Sequence, residues 1–448
     1  MTPDQYPSSP QRQGTRPRRP GGRRAGDMPT RLAVLGAALV AGQLAFGVAP
    51  SSASTPVPAA TLRVSYLSGF VYFRRAQAQY SKLHPGVSFE VEEATSNTYQ
   101  PLLDSQLNEG TAPDVIFTFG GHGNAVSVQQ LAPKGYLLNL SNQSWVKGLP
   151  SVIRRDLSYN GHVYAETTYI VPTGIVYNAT LATRLGVSVP TTFSRLLGWC
   201  KAVAAKGVTP IFMGLSAKNY NELIPGQLAN DLVYSADPDW GSAHKAAFST
   251  GNTLWNRSLE HAMYEYLDMA KANCFENNAT GYSPTEAYSA VATEKALSTD
   301  IFTNGIPGIT ADKPNIKLGV FSLPASGNPK GTWVTGDLGL SMAVNAKTRH
   351  KATALAYLAY LASPKVAGAA AKANYGIPAN PGQHFNALPT LRGVAGQYMA
   401  GRYAFFPSAF YPNFNVKLTM EAQMQDLLNG TVKVPQALKA VEASYSTP

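Results

Sequence analysis

The feature that most constrains the fold is the repeated change of hydrophobic period between Thr61 and Phe119. Thr61–Tyr66 alternates, with Leu62 and Val64 on one face, as a strand does. Phe73, Ala76, Tyr80 and Leu83 then recur at helical spacing until His84-Pro85-Gly86 stops the run. Val87, Phe89 and Val91 alternate again. A second helical stretch carries Leu102, Leu103 and Leu107 and ends at Gly110. Asp114–Phe119 is nearly continuous apolar sequence, the pattern of a strand buried on both faces. Strand–helix–strand–helix–strand over so short a span predicts a parallel sheet with right-handed crossovers.

The rest of the chain continues in this style, so the fold class is α/β. Gly174–Tyr177, Thr209–Met213, Ile316–Leu323 and Leu338–Val344 read as strands. Thr192 caps a helix carrying Phe193, Leu196 and Leu197, and an amphipathic helix runs near Leu259–Ala272. Leu355, Leu358 and Ala362 mark another helix; Ser363-Pro364 opens the next. The last lies near Pro435–Ala443, after the stop at Asn429-Gly430. There is no internal repeat. With 448 residues, 44% of them hydrophobic, the chain is large enough for two or three domains and too apolar for wholesale disorder.

The N-terminus predicts export. Residues 1–53 read as a signal peptide with a basic extension: a Pro/Arg/Gly-rich start, a charge-free apolar run from Leu32 to Ala49, then the small-residue pattern Ser51-x-Ala53. Met28 is an alternative start, and an uncleaved membrane anchor is the alternative to cleavage. The formal charge of +11 shrinks accordingly, because seven of the arginines and two of the aspartates lie in that segment. What remains is mild and unclustered, which argues against a nucleic-acid partner. Two cysteines exclude a disulfide-rich scaffold. Export would permit Cys200 and Cys274 to pair; two buried thiols are the equal alternative.

Catalytic and metal motifs are absent from the sequence. No two of the seven histidines stand at metal-ligand spacing on a helix. There is no nucleophile elbow, since Gly214-Leu215-Ser216-Ala217 lacks the second glycine, and there is no Walker loop. Gly120-Gly121-His122-Gly123, after the Asp114–Phe119 strand, could cradle an anion through its N–H groups or open a cleft at the strand end. A dinucleotide fingerprint fails at Val126. Trp240, Trp255, Trp333, Tyr375 and Tyr411 fall on expected loops, where aromatic faces could stack on sugar rings; core packing is the competing role for each. Trp199 is expected in a helix core. Asp337, beside Gly336, is the carboxylate singled out.

Eight short stretches then carry a resemblance. They are Ala112–Phe117, Lys134–Leu140, Gly161–Ala165 with Gly174–Asn178, Pro190–Phe193, Lys206–Ile211, Gly336–Leu340, Tyr360–Pro364 and Gly376–Ala379. In this order they resemble the extracellular solute-binding proteins of ABC importers, the large maltose-binding-protein-like class known as family 1. The resemblance implies a two-lobed periplasmic-binding-protein-like fold of type II, with ligand held in an interlobe cleft. Lobe one would be 61–170 plus 336–395, and lobe two 171–335 plus 396–448, closing about crossings near 170–174 and 333–338. It further implies Gly121, His122, Phe302, Trp333, Gly336, Asp337 and Tyr411 as ligand-binding residues. Neither catalytic residue, metal nor cofactor is implied. The implied partners are a small-molecule solute, a mono- or oligosaccharide, and ABC permease subunits; the chain would act as a monomer, exported to an extracellular, cell-surface or periplasmic location. Gly121-His122 replaces an Asp-Arg pair of the maltose binders, and Asp300-Ile301-Phe302 replaces a Gly-Ser-Trp loop, so maltose itself is not expected. A secreted carbohydrate-active enzyme and a binding protein feeding a sensor are the alternatives.

Overall fold

The computed structural model describes residues 56–68, 70–238, 253–380 and 387–446. The expected signal peptide and Trp240 lie outside them. In chain order the strands are β1 (Ala60–Leu67), β2 (Val87–Ala94), β3 (Val115–Phe117), β4 (Ser158–Tyr159), β5 (His162–Val163), β6 (Ala165–Thr167) and β7 (Tyr169–Asn178). They continue with β8 (Thr209–Ile211), β9 (Ala296–Phe302), β10 (Leu318–Phe321), β11 (Val334–Leu338), β12 (Ser341–Val344), β13 (Ile377–Pro378) and β14 (Tyr403–Phe405).

These strands form two principal sheets. The first has the order β2-β1-β3-β12-β6, and β1 pairs parallel with both β2 and β3, as the crossover rule requires. The second runs β14-β11-β7-β9-β8, with β10 and β13 also paired to β7. Helices Val71–Leu83 and Ser96–Glu109 connect β1, β2 and β3, and the second closes on Gly110 in the left-handed conformation. Because β2 is an edge strand its alternation is only half used: Val87 is buried but Val91 is 40% exposed, against expectation. Leu83 and Leu102 likewise face outward at their helix margins.

The stretch Leu338–Val344 is not one strand. It divides into the end of β11, in the second sheet, and β12, in the first. The break falls at Gly339, where a Cβ would stand 2.0 Å from the Tyr169 ring, so the chain passes between sheets against that ring. The same passage occurs between β6 and β7, and β13 returns to pair with Tyr169 and Ile170. Three chain crossings therefore join the sheets side by side.

Two apolar clusters fill the interior. One centres on Leu62, Val64, Val115, Ile116 and Met342 of the first sheet and continues to Ile170 and Ile301 of the second. The other packs Ile175, Leu196, Trp199, Ile211, Trp255 and Met420. Thr192 caps helix Phe193–Ala204 by accepting the Arg195 N–H, and Leu196, Trp199, Cys200 and Val203 give it a buried stripe. Cys200 is bonded to Cys274, Cα atoms 4.8 Å apart, which ties this helix to the segment after helix Thr253–Lys271. Trp255 sits inside that helix, fully buried, its indole N–H donating to Tyr445 Oη at 2.8 Å. It is a core residue, not a loop aromatic. Helix Leu223–Ala236 escapes periodicity because it is buried nearly all round.

Candidate functional site

The loop after β3 meets the segment after β14. Gly120 packs directly on Asp156, where a Cβ would stand 1.9 Å from Oδ2, and Gly121, at φ +64°, leaves no room for a Cβ beside the Ala409 carbonyl. The Gly121 N–H donates to the Asp156 carbonyl (2.9 Å); the His122 and Gly123 N–H groups both donate to the Ala409 carbonyl (2.8 and 3.0 Å). Three of the four amides of this turn are therefore spent on protein, which argues against the anion-cradle alternative. The His122 ring is half-buried and lies against Gln130 Nε2.

Asp156, at the end of helix Ser151–Asp156, is fully buried, and neither carboxylate oxygen has a hydrogen-bond partner. Burial, with Asp337 beside it, holds its carboxyl well above the usual carboxylate range, against the pull of Arg155. Arg155 Nε is itself buried and without an acceptor. Asp337 keeps some exposed area on β11, but its carboxyl is enclosed and burial pushes it up to about 6, opposed by the Leu338 N–H (2.8 Å) and by Lys417. Lys417 Nζ stands 2.9 Å from Glu222 and also pairs with Glu421. Burial raises Glu222 to about 7, with Lys417 restraining the rise.

Aromatic residues surround these acids. Phe406, whose N–H donates to the Gly336 carbonyl at 2.9 Å, lies with its ring 6.1 Å from that of half-buried Phe302. The Tyr403 hydroxyl donates to the Asp337 carbonyl at 3.3 Å. Half-buried Trp333 stacks at 32° and 5.0 Å on Tyr234, whose hydroxyl feels both Arg155 and Asp156. The Trp333 N–H donates to Asp231 Oδ1 at 2.8 Å, and Asp231 Oδ2 accepts the Ala325 N–H at 2.8 Å. Asp231 thereby holds both ends of the 325–333 loop.

Gly121, His122, Phe302, Gly336 and Asp337 thus come together about residues 405–409, with Trp333 immediately before β11. Tyr411 instead is 1% exposed and packs in the second apolar cluster. Tyr375 is a turn residue at φ 49° before β13. Asp300 does not present its carboxylate to the cleft; it is buried and accepts from Gln227 Nε2 at 2.9 and 3.0 Å. Sequence reasoning missed Asp156 and Tyr234. Arg154-Arg155-Asp156 reads as a solvated charge run, and no local pattern marks it as buried. Among the described residues, no group of His, Cys, Asp and Glu could hold a metal ion.

Two α/β units built on side-by-side sheets, joined by several crossings and lined with acids and aromatic rings where they meet, define a two-lobed ligand-binding fold. The profile of the family described as bacterial extracellular solute-binding protein matches residues 65–368, and the chain belongs to that family. The multiple sugar-binding protein of Streptococcus mutans is 26% identical over 272 residues, covering 59% of this chain and 62% of that protein. The match thus spans less than two thirds of that relative. Among solved structures, apo RafE from Streptococcus pneumoniae superposes with a TM-score of 0.71 at 19% identity, over 86% of this chain and 97% of its own. The MsmE binding protein of Bacillus subtilis, in an open conformation, gives 0.72 at 17% identity over 86% and 96%. A sugar transporter protein of Bacillus licheniformis in complex with stachyose gives 0.67 at 21% over 86% and 99%. No helix among the described residues is long and apolar enough to cross a membrane.

Proposed function

We propose that this protein captures a carbohydrate solute in the cleft between its lobes and delivers it to an ABC permease, as an exported, monomeric, non-enzymatic binding protein. The observation that carries this reading is the Asp156 carboxylate, fully buried with both oxygens unpartnered. A buried carboxylate without donors is costly, and the hydroxyl groups of a sugar supply donors in pairs. The half-buried rings of Trp333 and Phe302, backed by buried Tyr234 and Phe406, offer faces for a pyranose ring. Lobe one is the unit on the first sheet and lobe two the unit on the second. Their crossings lie at Thr167–Tyr169, Leu338–Ser341 and Gly376–Pro378, where a few dihedral changes would close the cleft. The names of the relatives, one a multiple sugar-binding protein, support the same ligand class.

The test is calorimetric titration of the exported protein with raffinose, stachyose and their constituent monosaccharides, repeated on Asp156→Asn. The substitution deletes an acceptor from charged hydrogen bonds, so affinity is expected to fall by about ten- to a hundredfold. Melting temperature should hold or rise, because a buried carboxyl whose ionisation no donor of the protein supports is gone. Unchanged affinity in a folded variant would overturn the site. The titrated sugars should be recovered intact; cleavage products would favour the carbohydrate-active enzyme instead.

A further inference from the structure

We propose that the Gly120–Gly123 turn is a latch: it fastens the two lobes through backbone alone and shuts Asp156 between them before any solute arrives. The proposal rests on the interlobe cleft described above for what the latch regulates. The turn is fixed to lobe one, because the Gly121 N–H donates to the Asp156 carbonyl at 2.9 Å and the Gly121 carbonyl accepts the Gln129 N–H at 3.0 Å. Its next two amides cross to lobe two. The His122 and Gly123 N–H groups both donate to the Ala409 carbonyl, in the segment after β14, at 2.8 and 3.0 Å. The His122 ring takes no part in this contact, since it lies against Gln130 of its own lobe.

So close an approach of two backbones needs residues without a Cβ. One on Gly123 would stand 1.9 Å from the Ser408 carbonyl oxygen, and one on Gly121 2.2 Å from that of Ala409. Gly123 is not at positive φ, so its missing side chain serves the contact with lobe two and not the local backbone conformation. Asp156 is enclosed from both sides of this junction. Gly120 covers it from lobe one, where a Cβ would stand 1.9 Å from Oδ2 and 2.8 Å from Cδ1 of Leu338, the end of β11 in the second sheet. Asp337 on the same strand and Tyr234 of lobe two lie close enough to interact with its charge. Both carboxylate oxygens are out of contact with solvent, so a sugar hydroxyl reaches them only after the lobes part. Parting breaks the two bonds to Ala409. At the ordinary net strength of a hydrogen bond, that pair favours the latched form about ten- to a hundredfold.

The deciding measurements need no sugar. By amide hydrogen exchange on the exported protein, His122 and Gly123 should exchange about tenfold or more slower than Asn124, whose N–H has no acceptor among the described residues. Carboxyl labelling with a carbodiimide and glycine ethyl ester, read by mass spectrometry, should leave Asp156 nearly unmodified. Gly123→Ala places a Cβ against the Ser408 carbonyl and prevents the latch from seating. In that variant, checked to be folded, the His122 amide should lose its protection and Asp156 labelling should rise severalfold. Whichever of raffinose and stachyose binds should associate about tenfold faster with Gly123→Ala, because apparent binding scales with the fraction of protein that is open. If neither binds, the carbohydrate reading fails, and exchange and labelling still decide the latch. His122 and Gly123 amides that exchange as fast as that of Asn124 in the unsubstituted protein would overturn the proposal. So would unchanged Asp156 labelling in folded Gly123→Ala, or a bound sugar that associates no faster with it.

Discussion

Asp156 and Asp231 are both wholly buried carboxylates, and they differ in one respect. Asp231 receives two backbone N–H groups, one on each oxygen, while Asp156 receives none. Burial raises both carboxyls, to about 6 for Asp231 and well above the usual range for Asp156. In one region desolvation is offset by fixed amides that fold a loop. In the other it is left uncompensated by the protein, beside a second acid and a set of rings. A fully satisfied buried acid indicates structure, whereas an unsatisfied one indicates a place where the protein expects a partner.

The largest effect that would test this contrast is on stability at Asp231. Asp231→Ala removes the acceptor for the Ala325 and Trp333 amides, leaving two buried donors unsatisfied. Stability should fall by roughly 2–5 kcal/mol, read by denaturant unfolding. A loss no greater than that of Asp156→Asn would erase the distinction.

A smaller effect is expected with pH. For an acid whose folded pKa is raised, the unfolded chain ionises first, so stability is greatest below the unfolded value and declines until the folded value is passed. Asp337 and Asp231 at about 6, and Asp300 and Glu222 at about 7, all shift in this direction. The ligand-free protein should therefore melt at a higher temperature near pH 5 than near pH 8. Asp156→Asn should flatten that slope. A melting temperature that climbs steadily from pH 5 to pH 8 would contradict the assignment.

The smallest expected change is at Trp333. Its ring is half-buried against Tyr234, and its backbone, not its side chain, is what Asp231 holds. Trp333→Ala should cost about 1 kcal/mol of stability, the scale of one aromatic pair, and weaken sugar binding about tenfold. A loss of roughly 3–5 kcal/mol, typical of core aromatic truncations, with unchanged affinity would move Trp333 into the core and out of the site.

Much of the fold was legible from local pattern. The β1–β3 unit, the Thr192 cap, the Pro364 helix start and the Gly110 stop follow from periodicity and capping, which involve residues within about a turn of one another. Some signals were present but unused: Ser283 and Glu286 form a capping box that opens helix Pro284–Ala292. Helix Leu223–Ala236 left no periodic trace because both its faces are enclosed.

For the site, the family-like motifs placed Gly121, His122, Gly336 and Asp337 in one neighbourhood, since each lies within or shortly after a strand. Whether a side chain is enclosed there was decided elsewhere. Trp255 and Tyr411 have the composition of loop aromatics in sequence and the surroundings of core residues in the fold. The sequence by itself determined the α/β class, the direction of the first crossovers and the strand-end turns, because these depend on neighbours along the chain. Only the tertiary structure divided Leu338–Val344 between two sheets, joined Cys200 to Cys274 and left Asp156 without a donor. Desolvation is the reason: the groups that enclose Asp156 come from Gly120 and Leu338, far apart in sequence, and no local period records their approach.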